Sequence, residues 1–152
     1  MHTIRRAVAA DVHTIRAIVN AAYSIYLPRM GNPPGPMLDD YGALVTAGHV
    51  SVLEADGAIA GAIVLLPQDG YLLLDNVAVA PGDQGRGLGR VLITFAEQET
   101  LRLGLPEVRL YTHVVMTENQ ALYARLGFEE THRGVQDGYE RVFMRKRLTT
   151  PS

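Results

Sequence analysis

The sequence predicts an α/β fold, with a mixed, mostly antiparallel central sheet of about seven strands flanked by four helices. Three observations carry that expectation. Asp56-Gly57 and Asp137-Gly138 each lie between strand-like runs, and an Asp-Gly pair supplies the positive φ angles of a tight hairpin. A helix-like run, Leu88 to Leu103, separates the strand-like segments Tyr71–Val79 and Val108–Val114, which points to a parallel crossover. No internal repeat, low-complexity tract or linker interrupts the 152 residues, so one domain over 1–152 is expected.

Thr3 to Val8 reads as the first strand. Asp11 stands where it would cap a helix reaching about Tyr26, with Val12, Ile15, Val19 and Ala22 on one face. Between Pro28 and Pro36, the prolines and glycines deny both a helix and a central strand. A second helix is expected over Met37–Ala47, with Gly48 as its closing glycine. His49–Ala55 and Ala58–Leu66 read as hairpin strands, and Pro67 to Gly70 as a turn into Tyr71–Val79. The next helix turns Val91, Leu92, Phe95 and Ala96 inward and stops at Gly104, ahead of Pro106. After the Val108–Val114 strand, Thr117-Glu118-Asn119-Gln120 has the spacing of a capping box. That helix ends at Leu126-Gly127, and Phe128–Arg133 and Tyr139–Arg147 are the last strands.

Composition narrows the function classes. The chain has no cysteine, which excludes disulfides, a thiolate nucleophile and cysteine-based zinc sites, and suits a reducing cytoplasm. The formal net charge is −2 without a long basic run, so nucleic acid is not an expected partner. No apolar run approaches the ~20 residues of a membrane span, and the first residues lack the apolar core of a signal peptide. A cytoplasmic protein without a metal centre is expected.

Gln84-Gly85-Arg86-Gly87-Leu88-Gly89 is the most informative stretch. It joins a strand to a helix, where glycines let backbone N–H groups approach an anion and the helix start adds unpaired donors and a positive dipole end. A Walker loop ends in Gly-Lys-Ser/Thr, whereas Gly89 is followed by Arg90-Val91. A dinucleotide fingerprint needs G-x-G-x-x-G, which the spacing of Gly85, Gly87 and Gly89 does not supply. A Q/R-x-x-G-x-G/A loop fits through Gln84, Gly87 and Gly89. Arg86 and Arg90 read either as phosphate contacts or as solvated arginines at a helix start.

With this loop, with Val79-Ala80-Pro81 before it, and with Asn119-Gln120-Ala121-Leu122-Tyr123-Ala124-Arg125-Leu126-Gly127-Phe128, the chain resembles the GCN5-related N-acetyltransferase (GNAT) family over nearly its whole length. The resemblance implies acetyl-CoA as donor and an amine as acceptor. It implies that the backbone of Val77 and Val79 meets the pantetheine arm and that N–H groups from Gln84 through Gly85, Arg86, Gly87 and Leu88 to Gly89 hold the pyrophosphate. Asn119 would hold the arm from its other side. The family sheet splays between the Tyr71 and Val108 strands, leaving backbone groups for the arm to satisfy. A homodimer is expected by analogy alone. The alternative is a non-catalytic acyl-CoA-binding domain of the same fold.

Acetyl transfer to an amine needs a neutral nucleophile, a stabilised oxyanion and a protonated leaving thiolate. A lysine-like amine, with pKa ~10.4, is neutral in only about one molecule in a few thousand at pH 7, so a proton acceptor helps. The resemblance makes Tyr123 the acid that faces the departing sulfur, since a phenol with pKa ~10 can protonate a thiolate of pKa ~8.5. The other reading of Tyr123 is a packed aromatic. Two bases stay open. Asp75, in an apolar strand, needs a site that raises its pKa above the ordinary ~3.9, or else it is structural. His113, at the end of the next strand, has a suitable ordinary pKa, or is a loop histidine. By resemblance the oxyanion meets a backbone N–H near Val77 or Ala78.

The acceptor pocket is expected from the segment running from Tyr23 to Tyr41, with Tyr23 and Tyr26 as walls. Arg29 is a partner for a carboxylate, Met37 an apolar contact, and Asp39 or Asp40 an attractor for an ammonium, with His113 beside them. Those groups suit a small zwitterionic amine or a peptide end. Their other reading is a surface loop with half-buried tyrosines.

Overall fold

The computed structural model describes residues 2–148. Its strands are β1 (His2–Arg6), β2 (Val50–Ala55), β3 (Ala58–Gln68), β4 (Tyr71–Val79), β5 (Glu107–His113), β6 (Glu129–Gln136) and β7 (Tyr139–Arg147). Its α-helices are α1 (Val12–Tyr23), α2 (Tyr41–Thr46), α3 (Leu88–Arg102) and α4 (Thr117–Arg125). The seven strands form one sheet in the order β1-β2-β3-β4-β5-β7-β6. β4 and β5 run parallel, and the pairs β1–β2, β2–β3, β5–β7 and β6–β7 are antiparallel. Among the described residues no helix is long and apolar enough to cross a membrane.

Both Asp-Gly turns fold as their chemistry demands. Asp56 and Gly57 take φ values of 54° and 84°, and Asp137 and Gly138 take 53° and 81°, the double positive φ of a two-residue hairpin. Crossing back through α3 makes β5 parallel to β4, in register at Leu72 with Val108 and Leu73 with Arg109. These pairs lie at the start of β4.

Several element boundaries differ from the sequence expectation. The first strand stops at Arg6, since Ala9–Asp11 already form a 3₁₀ turn. Asp11 does not cap α1 with its side chain. Its carboxylate takes a fork from Arg5 at 2.8 and 3.1 Å and the Val8 N–H at 2.8 Å, and these bonds hold it below the usual carboxylate range. The helix to Tyr26 is α1 only to Tyr23, followed by a 3₁₀ stretch, Ser24–Arg29, that admits Pro28. Its buried face is Ile15, Ile18, Val19 and Tyr23 rather than Val12 and Ala22. The Met37–Ala47 helix is instead a 3₁₀ turn, Gly35–Leu38, and a short α2 capped by Asp40, whose carboxylate accepts the Ala43 N–H at 3.1 Å.

β3 continues through Pro67 to Gln68, leaving Asp69-Gly70 as the turn. On α3, Leu92, Ile93 and Ala96 are buried, while Val91 and Phe95 are only half-buried. The capping box at Thr117 does not form, because Met116 is the N-cap. Gln120 turns its amide to the carbonyls of His113 and Val114 at 3.1 and 3.0 Å instead. β6 runs three residues past Arg133 to Gln136, drawn along by its pairing with β7.

Two compact units divide the chain: Met1–Leu65 with Asn76–Thr94, and Leu66–Asp75 with Phe95–Ser152. In the first, β3 is buried on both faces from Ala60 to Leu65, as its unbroken apolar run requires. In the second, β5 and β7 alternate. Val108, Leu110, Thr112, Val142 and Met144 are buried, and the residues between them are at least partly exposed.

Candidate active site

In the first unit the glycine loop leads into α3. Gly85 and Gly87 have φ of 87° and 76°, which only glycine adopts without strain. No heavy atom lies within 4 Å of the place where a Cβ would stand on either, so an incoming group can reach this backbone. The first bond into α3 runs from Val91 N–H to Gly87 O at 3.2 Å, and the amides of Leu88, Gly89 and Arg90 precede any acceptor inside the helix. Leu88 is buried and anchors the helix start. The arrangement fits a pyrophosphate through backbone donors.

Two polar side chains of the loop are engaged. Arg86 bonds Asp83 at 2.8 Å and Asp56 at 3.0 Å, so reaching a phosphate means exchanging exposed carboxylates for it. Gln84 donates its amide to the Val79 carbonyl at 3.2 Å, tying loop to strand.

The acceptor-side tyrosines are inner residues. Tyr23 is buried, and its hydroxyl lies 3.1 Å from Asn76 Oδ1 and 3.2 Å from the Val77 carbonyl. Asn76 is buried too, and donates from Nδ2 to Tyr41 Oη at 2.7 Å, while Tyr41 donates to Pro36 O at 2.5 Å. This network fastens α1, β4, α2 and the Pro36 turn together. The Tyr23 hydroxyl thereby ties α1 to β4. Tyr26 is buried under Arg29, whose guanidinium carbon lies 5.4 Å from the ring centroid. Met37 is half-buried in its 3₁₀ turn, and Asp40 is occupied as the α2 cap. Asn76 was not foreseen in this network, whereas Tyr41 closed the segment expected to form the acceptor pocket. A polar Asn at an inward position of an apolar strand was the available signal.

In the second unit Asp75 meets a different set. It accepts a hydrogen bond from Tyr111 Oη at 3.1 Å, two residues beyond the Leu73–Arg109 register pair on each strand. Burial pushes the Asp75 carboxyl up, and the Tyr111 bond and the charge of Arg141 offset part of that rise. Burial and the Asp75 charge push Tyr111 up to about 12, so it stays a donor. Arg141, from β7, lies over the Tyr111 ring with its guanidinium carbon 4.0 Å from the centroid.

Burial lowers the His113 pKa. Its Nδ1 accepts the Val115 N–H at 3.2 Å, which puts the ring proton on Nε2 and leaves no free lone pair. His113 also packs edge-on against Tyr139 at 6.1 Å. The Asp75 pKa is thus raised, whereas the His113 pKa is lowered and its Nδ1 lone pair is engaged.

On α4, Asn119 Nδ2 touches the Met116 sulfur at 3.8 Å, a weak acceptor. Tyr123 is buried, packed edge-on against Phe128 with centroids 5.8 Å apart. Among the described residues no group of three or more His, Asp or Glu side chains is placed to hold a metal ion.

A family model for the acetyltransferase (GNAT) domain matches residues 46–130, more than half of the chain. The Tyr23–Tyr41 segment and Arg141 lie outside that match. Mycothiol acetyltransferase of Tsukamurella paurometabola is 31% identical over 138 residues, covering 83% of this chain and 47% of that protein. The chain spans about half, or less, of the curated relatives it matches. The PaiA N-acetyltransferase of Thermoplasma acidophilum, solved in complex with coenzyme A, shares the fold with a TM-score of 0.83 at 17% identity, covering 97% of this chain and 99% of that one. YncA of Salmonella typhimurium, solved with its cofactor acetyl-CoA, gives a TM-score of 0.76 at 23% identity, with 100% and 96% covered.

Proposed function

Because the chain belongs to the GNAT acetyltransferase family, we propose that it transfers an acetyl group from acetyl-CoA to a primary amine of a small molecule or peptide, by direct attack in a ternary complex. The observation that carries the reading is the Gln84–Gly89 loop. Its positive-φ glycines, open on the side of the missing Cβ, and the helix-start amides behind them are what a pyrophosphate requires. Bound there, acetyl-CoA supplies a thioester-activated acetyl group.

The chain's own groups take the remaining roles. Backbone amides between Gly85 and Gly89 hold the diphosphate, and Arg86 adds its charge after leaving Asp83 and Asp56. Val77, Val79 and Asn119 orient the pantetheine arm. The backbone N–H of Val77 or Ala78 faces the charge that develops on the acyl oxygen. Asp75 takes a proton from the acceptor ammonium, directly or through water. Its raised pKa makes it a stronger base than an ordinary aspartate, and the Tyr111 hydroxyl fixes its orientation. Tyr123 gives its hydroxyl proton to the departing sulfur. A cysteine-free chain suits the reducing cytoplasm, and the homodimer rests on family analogy.

The test is thiol release from acetyl-CoA across a panel of primary amines. Amine-dependent release supports the reading. Calorimetric binding of CoA without any amine-dependent release replaces it with a non-catalytic acyl-CoA-binding domain.

A further inference from the structure

We propose that Arg141 is the carboxylate-recognition residue of the acceptor site, so that the preferred acceptor is an amine carrying an acid group a few bonds away. This rests on the acetyl-transfer reading above and deepens it.

Arg141, like Arg125 and Arg147, stands apart from the ion-paired arginines and lysine of its unit. Arg102, Arg109, Arg133, Arg145 and Lys146 each contact a carboxylate. Arg141 makes no ion pair among the described residues. Its guanidinium is held by two aromatic rings and an amide, and its charge acts on Asp75 without a direct ion pair. The Tyr111 ring lies beneath it at 4.0 Å, Tyr139 flanks it at 5.5 Å, and Gln136 Oε1 takes one N–H at 2.9 Å. A neutral amide and two aromatic faces orient a guanidinium at little cost in entropy, and a planar fork presented this way matches a carboxylate. Arg141 is only half-buried, so a ligand can reach it.

The second observation is the neighbour. The ring that carries Arg141 on its face donates its hydroxyl to Asp75 at 3.1 Å. One phenol ring thus separates a fixed positive group from the carboxylate assigned as base. An acceptor with its ammonium at Asp75 and its carboxylate at Arg141 satisfies both charges at once. His113 of β5, in register with Arg141, and Glu140 of β7 lie close by, and neither replaces that pair, because Nδ1 of His113 is committed to Val115 N–H and Glu140 is exposed. The carboxylate partner expected at Arg29 is therefore assigned to Arg141.

Two measurements test this. Steady-state acetylation is compared for L-amino acids and their primary amides, in wild type and Arg141→Gln. Wild type should show a KM about tenfold lower for the acids, and the variant should lose that KM preference, while any change in kcat transmitted through Asp75 is shared by acids and amides. Equal use of acid and amide by wild type, or a variant that raises both KM values alike, overturns the assignment. If no amine is acetylated, the acetyl-transfer reading fails. The binding assignment is still decided by titrating propionate while following the Arg141 Nε–H resonance. A saturable shift with propionate, absent with propionamide, supports it, and no shift overturns it.

Discussion

At the scale of single residues, the proposed chemistry divides between a phenol and a carboxylate whose surroundings differ. Tyr123 is buried against Phe128, so its phenylalanine variant keeps the packing and loses only the hydroxyl. Tyr123→Phe should lower kcat by about 10²-fold with CoA affinity nearly intact. Steady-state kinetics beside calorimetry reads both, and unchanged turnover would remove Tyr123 as the acid. Asp75 makes a thermodynamic prediction as well. Its folded pKa is raised, chiefly by burial, so the favourable contribution of its protonated form is complete below the ordinary aspartate pKa and is lost as pH rises through the folded value. Asp75→Asn is neutral at every pH. Relative to wild type it should gain stability across that window, with the difference vanishing in acid, while kcat/KM falls by roughly 10²-fold or more. Denaturant titrations at several pH values check the first part, and a pH-independent difference would contradict it. Asp75 was legible as a charge inside an apolar strand. Tyr111 and Arg141 were not, because their meeting depends on the β4–β5 register and on β7 lying next to β5, neither of which is a property of any local segment.

Among the elements, α4 shows how a local motif places the side chain proposed as the acid, Tyr123. Phe128 N–H bonds Tyr123 O at 3.0 Å and Gly127 N–H bonds Ala124 O at 3.1 Å, closing the helix around a glycine at φ 97°. Lys146 completes the end by donating to Leu126 O and pairing with Glu97, both at 2.8 Å. A Cβ on Gly127 would come 3.1 Å from Lys146 Cε. Gly127→Ala should therefore cost about 1–3 kcal/mol from the left-handed backbone, with the Lys146 contact adding to it. An unchanged denaturation midpoint would contradict this account of the turn. The same glycine made the end of this helix readable in the sequence, as Gly48 and Gly104 did for α2 and α3. Helix starts were less readable. Asp11 and Thr117 have the composition of caps, yet Arg5 competes for the first and Met116 takes the position of the second. In the tract from Tyr23 to Tyr41 the helix boundaries were less readable, because 3₁₀ turns at Ser24–Arg29 and Gly35–Leu38 replace the α-helix expected over Ser24–Tyr26 and Met37–Leu38.

For the whole molecule, strand count, hairpins and the single parallel crossover were all legible, since each rests on turn chemistry or on connection length. The donor half of the proposed reaction was legible for the same reason, being a contiguous loop. The proposed acceptor half was not, because the residues assigned to it lie on β4, β5 and β7 and only the sheet brings them together. The most direct measurement of the proposed activity follows the acetyl group itself. With acetyl-CoA labelled with 13C at the acetyl carbonyl, the account predicts that the label appears as an amide carbonyl on the acceptor, one equivalent for each thiol released. Label recovered as free acetate, or retained in acetyl-CoA in the presence of every amine tried, would contradict it.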